Sequence, residues 1–290
     1  MNYGKKFRVA PGGRIRLGDF DSQLIDKHEK KKSASARIEK LQRRMDELQF
    51  LLYAEQKRSL LICLQALDAG GKDGVIRHVF GSMNPQGCRV ASFKQPSAVE
   101  LAHDFLWRVE QATPKRGEVV IFNRSHYEDV LITRVHDLVP KAVYSERYAQ
   151  INDFERRLVA NGTHILKFFL HISKEEQLER FEQRLDDPAR HWKISESDYS
   201  EREYWASYER AYEDAIGKCS TGGAPWFVIP SDHQWFRNLA IAQIIVDTME
   251  SLGIKAPEPT VNIGDIRRKY HAAVGRSMKE KGAKKAAGKK

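Results

Sequence analysis

Residues 66–74 read Ala-Leu-Asp-Ala-Gly-Gly-Lys-Asp-Gly and follow the apolar run Leu60–Leu64. A strand that ends in paired glycines, with a lysine at the mouth of the next helix, is an anion cradle. The glycines let backbone N–H groups converge, the helix N-terminus adds partial positive charge, and Lys72 adds a mobile point charge for a terminal phosphoryl group. Gly70, Gly71, Lys72, Asp73 and Gly74 are therefore candidate phosphate ligands. The match to the P-loop pattern is incomplete: Ala66 stands where a glycine is expected, and Asp73 where a serine or threonine is. Asp68, inside the loop, would repel a phosphate unless a divalent cation lies between them, so it points to a metal–phosphate site. A plain turn capped by Asp68 is the competing reading.

Other segments carry related chemistry. The strand Glu118–Phe122 is followed by Asn123-Arg124-Ser125-His126-Tyr127-Glu128-Asp129. In a P-loop protein an acid normally ends this strand and organises Mg²⁺; here the place is held by neutral Asn123. Arg124 offers a fork of donors for phosphate oxygens, and Glu128 and Asp129 supply negative charge one turn later. The helix dipole alone also favours acids in a first turn. His126 has no orienting partner visible in the sequence and is read as structural. Arg180 and Arg184 share one helix face, and Arg190 and Lys193 follow past Pro188. That pattern fits a mobile basic lid over phosphates, and equally a solvated helix offset by Glu182, Asp186 and Asp187. Lys94 and Pro96 close another strand ahead of a helical stretch carrying Arg108. A second substrate could bind there, opposite the loop, unless Arg108 merely pairs with Asp104.

These segments need a parallel sheet to hold them. Strand-like runs at Leu60–Leu64, Cys88–Phe93, Glu118–Phe122, His164–Ile172 and Trp226–Ile229 alternate with helical patterns, among them Lys72–Phe80, Ala98–Gln111 and Tyr127–Val135. Such alternation implies an α/β fold with helices on both faces and a site at the carboxyl ends of the strands. Ile38, Leu41, Met45, Leu48 and Leu52 recur at three and four, an amphipathic helix that also offers a face to a homo-oligomer. Ser173-Lys174-Glu175-Glu176 predicts a capping box, and Ser231 or Asp232 is expected to cap a last helix that Gly253 stops. The expected layout is an irregular N-terminal arm over 1–30, a catalytic domain over 31–256 with its lid at about 178–200, and an extension over 257–290.

The 290 residues carry a formal charge of +10. Seven basic residues against Glu280 put +6 of it in residues 276–290, a Lys/Ala/Gly tail expected to be disordered. The rest is mildly basic, which suits an anionic substrate without demanding nucleic acid. Cys63, Cys88 and Cys219 are odd in number and lack metal-type spacing, so no disulfide framework is expected and the cytoplasm fits. No run reaches the ~18 apolar residues of a membrane span, and the first residues lead into no signal-type apolar segment.

Taken together, Ala66–Gly74, His103–Arg108, Ile121–Arg134, Leu166–Lys193 and Ala224–Pro230 resemble the polyphosphate kinase 2 family, and the run Phe122–His136 is the specific part. The resemblance implies a P-loop kinase core like thymidylate kinase: a parallel sheet sandwiched by helices, with a helical basic lid. It implies Mg²⁺-dependent transfer of phosphoryl groups between inorganic polyphosphate and nucleotides. Asp68 and Lys72 would be the loop acid and lysine, Arg124 the arginine after the second motif, and Arg180, Arg184 and Lys193 members of the lid. The Asn123 form, followed by Arg-Ser-His-Tyr-Glu, is similar to the class III subgroup, which phosphorylates both AMP and ADP. On that footing polyphosphate lies along Lys72, Arg124, Arg134 and the lid. Mg²⁺ sits between Asp68, Glu128 and the phosphates, and the acceptor binds near Lys94, Pro96, Arg108 and Asn123. The acceptor's terminal phosphate loses its second proton near pH ~6. It needs alignment more than a general base, so a neutral Asn123 is tolerable. The ADP step, which exchanges one phosphoanhydride for another, should be reversible. An ATP-dependent nucleoside monophosphate kinase and a non-catalytic polyanion-binding protein are the alternatives.

Overall fold

The computed structural model describes residues 1–287, which divide into two units, Met1–Lys255 and a second that begins at Ala256. Among the described residues of the first unit, β1 (Ser59–Gln65), β2 (Cys88–Ser92), β3 (Val119–Asn123), β4 (Thr163–His171) and β5 (Trp226–Pro230) form a parallel sheet in the order β2-β3-β1-β4-β5. The helices are α1 (Tyr3–Phe7), α2 (Lys31–Glu55), α3 (Lys72–Val79), α4 (Ala98–Leu101), α5 (Trp107–Glu110), α6 (Ile132–Val135), α7 (Lys141–Ala160), α8 (Lys174–Leu185), α9 (Glu196–Ser200), α10 (Trp205–Cys219) and α11 (Gln234–Ser251). Turns of 3-10 helix lie at His126–Val130, Pro188–Lys193 and Glu201–Tyr204. The expected α/β sandwich is therefore present.

Every residue of β1 is buried, as a central parallel strand requires. Leu60, Ile62 and Leu64 pack into one layer with Met45 and Leu48 of α2, Val75 of α3 and Ile245 of α11. Leu61 and Cys63 point the other way, to Val120, Phe122 and Phe154 of α7. This is the period-2 alternation of a strand, read on both faces at once. In β1, Ile62 lies opposite Ile121 on one side and Leu166 on the other. From β1 the chain winds toward the β2 edge, and from β4 toward the β5 edge. The winding therefore reverses between β1 and β4, where open α/β sheets hold their ligands.

Four elements differ from the sequence expectation. The stretch Ala98–Gln111 breaks into α4 and α5 because the Asp104 carboxylate accepts from the Leu106 N–H, a local bond that competes with helix. Tyr127–Val135 starts as a 3-10 turn, with Ser125 Oγ capping the Tyr127 N–H. Only half of the capping box forms: Ser173 Oγ accepts from the Glu176 N–H, while the Glu176 carboxylate turns to Arg180. Neither Ser231 nor Asp232 caps α11, whose N-cap is His233. Asp232 instead accepts from the Ser173 N–H and the Ser22 hydroxyl.

The N-terminal stretch is not an irregular arm but a packed strap. Tyr3 and Phe7 are buried and meet the edge of Phe236. The Val9 N–H donates to the Trp226 carbonyl, and Arg8 bridges Phe227 across the outer edge of β5. The physical reason is edge protection: without the strap, β5 would leave ladder groups unpaired. In the second unit, α12 spans Ile263–Ala287. Residues 276–287, expected to be disordered, continue that helix, in keeping with the helix propensity of Ala, Lys, Arg and Met. The final three residues of the expected tail, 288–290, lie outside the described residues.

Because Phe7 sits in the core, Phe7→Ala is expected to lower the unfolding free energy by about 3 kcal/mol. Urea denaturation checks this, and a change within ~0.5 kcal/mol would return the strap to the status of a dispensable arm.

Candidate active site

A loop that offers its N–H groups to an anion must direct its carbonyls elsewhere, and buried carbonyls need donors. The loop after β1 meets that demand residue by residue. The Ala66 carbonyl accepts from Lys72 Nζ at 3.0 Å, Leu67 from the Gly70 N–H, and Asp68 from Gln177 Nε2 at 2.8 Å. Ala69 accepts from Arg180 Nη1 at 2.7 Å, Gly70 from Arg237 Nη1 at 3.4 Å, and Gly71 from the Val75 N–H inside α3. At Gly70 a Cβ would lie 2.4 Å from the Ala66 Cβ, and Gly71 has φ +99°. Neither position has room or backbone freedom for an ordinary side chain.

Beside the loop lies a cavity of about 180 Å³. Asp68, Arg124 and Glu128 border it, along with Gln177, Ser197 and Arg202 from α8 and the segment beyond it, and Trp205, Tyr208 and Tyr212 from α10. Arg124 takes a positive φ of 60° at the end of β3, an unfavourable conformation for a non-glycine residue. Its N–H still bonds the Leu64 carbonyl, and its Nη2 lies 3.4 Å from the Asp68 carboxylate. Burial raises the Glu128 carboxyl pKa above the usual range, while Arg124 and Lys72 pull it back. Burial also lowers that of Lys72; Arg124 adds to the effect and Asp68, Glu128 and Asp73 oppose it. Arg124, Asp68 and Glu128 thus meet beside one cavity, and the charge of Lys72 acts on Glu128 although Lys72 does not border it.

Asp73, at the place of the P-loop hydroxyl, forms a clasp. It accepts from Asn123 Nδ2 at 3.0 Å and from Lys193 Nζ at 3.1 Å. Burial alone would raise its carboxyl pKa, but those two bonds together with the charges of Lys193 and Lys72 outweigh burial and lower it. Lys193 therefore does reach the loop, from the 3-10 turn that precedes α9.

Several expected ligands are placed otherwise. Arg180 is buried and bonds Glu176 and the Ala69 and Ser231 carbonyls; it braces the loop from beneath and is not a mobile lid cation. Arg184 bonds the Lys193 carbonyl and Asp198, within the segment expected to form a lid. Arg134 is tied to Asp214 at 2.6 Å and to the Tyr148 hydroxyl, away from the cavity wall. Arg108 donates to the Lys94 carbonyl and lies over the Phe93 ring, not in a pair with Asp104. Neither Lys94, Pro96 nor Arg108 borders the cavity. The reason is common to the arginines: long cations near a sheet find carbonyls and acids of the fold before they find open space.

The chain matches the family described as Polyphosphate kinase 2 (PPK2) over residues 28–257. The chain belongs to the polyphosphate kinase 2 family. It is 52% identical over 256 residues to the AMP/ADP-polyphosphate phosphotransferase of Meiothermus ruber, covering 88% of this chain and 96% of that one. It is 45% identical to the ADP-polyphosphate phosphotransferase of Rhodopseudomonas palustris, over 88% of this chain and 93% of the other. Its structure superposes on polyphosphate kinase 2 from Arthrobacter aurescens TC1 with a TM-score of 0.90 at 40% identity, over 94% and 97% of the two chains.

In this member of the polyphosphate kinase 2 family, sequence reasoning missed two groups of residues. Gln177, Arg202, Trp205, Tyr208 and Tyr212 wall the cavity, and their helical spacing reads as ordinary packing. The second group lies under the strand-end motif. His126 is fully buried, as is Lys167 of β4, which donates to Glu155, to the Tyr127 hydroxyl at 2.9 Å and to the Cys219 carbonyl. Glu155 in turn meets His126 Nε2 at 3.0 Å and the Tyr127 hydroxyl at 2.8 Å. A lysine inside the apolar strand Thr163–His171 was the available signal, since burying a charge is costly unless it is paired.

Asp129 carries a pH prediction. Burial raises its carboxyl pKa from 3.8 to about 6, against the pull of Arg147 and Arg108. An acid whose folded pKa is raised gives stability that is complete below the unfolded value and lost as pH climbs through the folded one. Asp129→Asn should thus gain on the wild type by about 2 kcal/mol between pH 4 and pH 7. Urea melts at both pH values check it; a constant gap between the two proteins would contradict it.

Proposed function

We propose that this chain transfers phosphoryl groups from inorganic polyphosphate to AMP and ADP, giving ADP and ATP, with the ADP step reversible. The likeness along 96% of the length of the Meiothermus ruber AMP/ADP-polyphosphate phosphotransferase is the observation that supports it most. The geometry agrees with a transfer that needs positioning and charge neutralisation more than bond-making side chains. Lys72 and the amides of the loop receive the phosphate chain. Arg124, held over the loop edge by its strained backbone, faces the transferring group. The acceptor's terminal phosphate arrives ionised, so Asn123 has no proton to remove.

The oxygen donors suit Mg²⁺. Asp68 and Glu128 border one cavity, and no cluster of three ligating side chains lies among the described residues. Mg²⁺ characteristically takes one or two carboxylates and completes its shell with phosphate oxygens and water. We assign it to Asp68 and Glu128, where it would neutralise phosphate charge when bound. We also place the enzyme in the cytoplasm; its three unpaired cysteines support that location. No helix of the described residues is long and apolar enough to cross a membrane. A homo-oligomer through α2 finds support in exposed Phe50 and Tyr53.

The direct test supplies AMP and Mg²⁺ with either polyphosphate or ATP as sole donor. Polyphosphate should yield ADP and then ATP. A comparable rate from ATP would make the chain an ordinary monophosphate kinase, and salt-sensitive binding through 276–290 without turnover would make it a binding protein. Lys72→Ala and Asp68→Asn should each lower kcat by on the order of a hundredfold; near-normal turnover in either moves the centre elsewhere.

Asn123→Asp places a second carboxylate where an amide now donates to Asp73. The repulsion should loosen the Asp73–Lys193 clasp and change the ratio of AMP to ADP rates with polyphosphate as donor. An unchanged ratio removes any role for Asn123 in choosing the acceptor.

A further inference from the structure

Beneath the loop lies an arginine that the chemistry above does not use. Arg237, in the first turn of α11, is 1% exposed. Its Nε and Nη2 bond the side-chain oxygen of its own neighbour Asn238 at 3.1 and 3.0 Å, and its Nη1 points to the Gly70 carbonyl. No carboxylate among the described residues forms an ion pair with it. The nearest charges are those of Arg180 and Glu176; Glu176 is already paired with Arg180, whose repulsion outweighs it. Burial and then Arg180 lower the Arg237 pKa to about 9, so the guanidinium is still charged at neutral pH.

The glycine spacing is built around this group. A Cβ on Gly71 would lie 2.0 Å from Arg237 Nη1, and one on Gly74 would lie 3.2 Å from Nη2. The space a side chain would fill at Gly71 is occupied by a guanidinium. The loop therefore separates a buried cation from the surface on which an anion lies. A buried charge without a counter-ion is costly. It becomes favourable when a polyanion settles a few ångströms away with little water between.

We infer that Arg237 is a positioning residue for the phosphate chain, a buried cation that strengthens polyphosphate binding through the loop without touching the substrate. The inference rests on the polyphosphate reading given above. Its partner is the most densely charged substrate of the pair, so the effect falls on polyphosphate and not on the acceptor.

Arg237→Met and Arg237→Lys test it, with KM for polyphosphate, KM for AMP, kcat, and thermal melting with and without long-chain polyphosphate. The Met variant should raise KM for polyphosphate about tenfold while KM for AMP holds. Without polyphosphate its melting temperature should stay close to that of the wild type, because removing an uncompensated buried charge offsets the loss of the long bond to the Gly70 carbonyl. Its gain in melting temperature from polyphosphate should shrink. The Lys variant, which keeps charge but not the fork, should recover most of the polyphosphate KM. Both KM values rising together with a lowered melting temperature would assign Arg237 to the fold alone and overturn the inference. So would an unchanged polyphosphate KM in Arg237→Met, or a Lys variant as poor as the Met one. A wild type that does not turn over polyphosphate overturns the reading on which the inference rests; wild-type turnover with unaffected variants overturns the inference alone.

Discussion

The structure depends on a requirement of the peptide backbone: a loop cannot offer N–H groups outward unless its carbonyls are satisfied inward. Each carbonyl from Ala66 to Gly71 has its own donor, and three of those donors are side chains more than 100 residues further along the chain: Gln177, Arg180 and Arg237. The anion cradle is thus assembled by α8 and α11 as much as by the loop that forms it. Local sequence supplies the turn, and tertiary structure supplies its polarity.

The opposite face of the sheet answers a second need. The end of β3 must present Arg124 and Glu128 at fixed positions although Arg124 sits at an unfavourable φ. The buried set of Lys167, Glu155, Tyr127 and His126 locks the turn directly behind it. Buried ion pairs contribute little net stability because desolvation offsets attraction. What they provide here is a single arrangement, since any other would leave a charge without a partner. Desolvation would raise the Glu155 carboxyl pKa, and the charges and bonds of Lys167 and His126 bring it below the usual value.

Much of this was legible in the sequence because it is local. The apolar run before Gly70, the alternation of strands with helices, and the polar residues just past β1 and β3 follow from periodicity and turn chemistry alone. The Lys193 contact was legible in kind but not in partner. What could not be read was the use of long cations. Arg180, Arg184 and Arg134 look alike in a sequence. One braces the loop, one ties the Lys193 carbonyl to Asp198 and one pairs with Asp214, because each takes the first unsatisfied acceptor within reach. The walls of the cavity were hidden for a related reason: Trp205, Tyr208 and Tyr212 share the spacing of any packed helix.

The strap at the N-terminus also sets the order in which the protein can be made. Ser220 Oγ donates to the Val9 carbonyl across 211 residues of sequence, and Tyr3 and Phe7 rest on Phe236. A ribosome adding ~5–20 residues per second needs on the order of ten to forty seconds to cover that interval. For that time Tyr3, Phe7 and Val9 wait as an uncovered apolar segment, made early and placed late. The sheet closes its β5 edge only when the chain has emerged through Phe236, so completion of the core waits for the last strand and the helix after it.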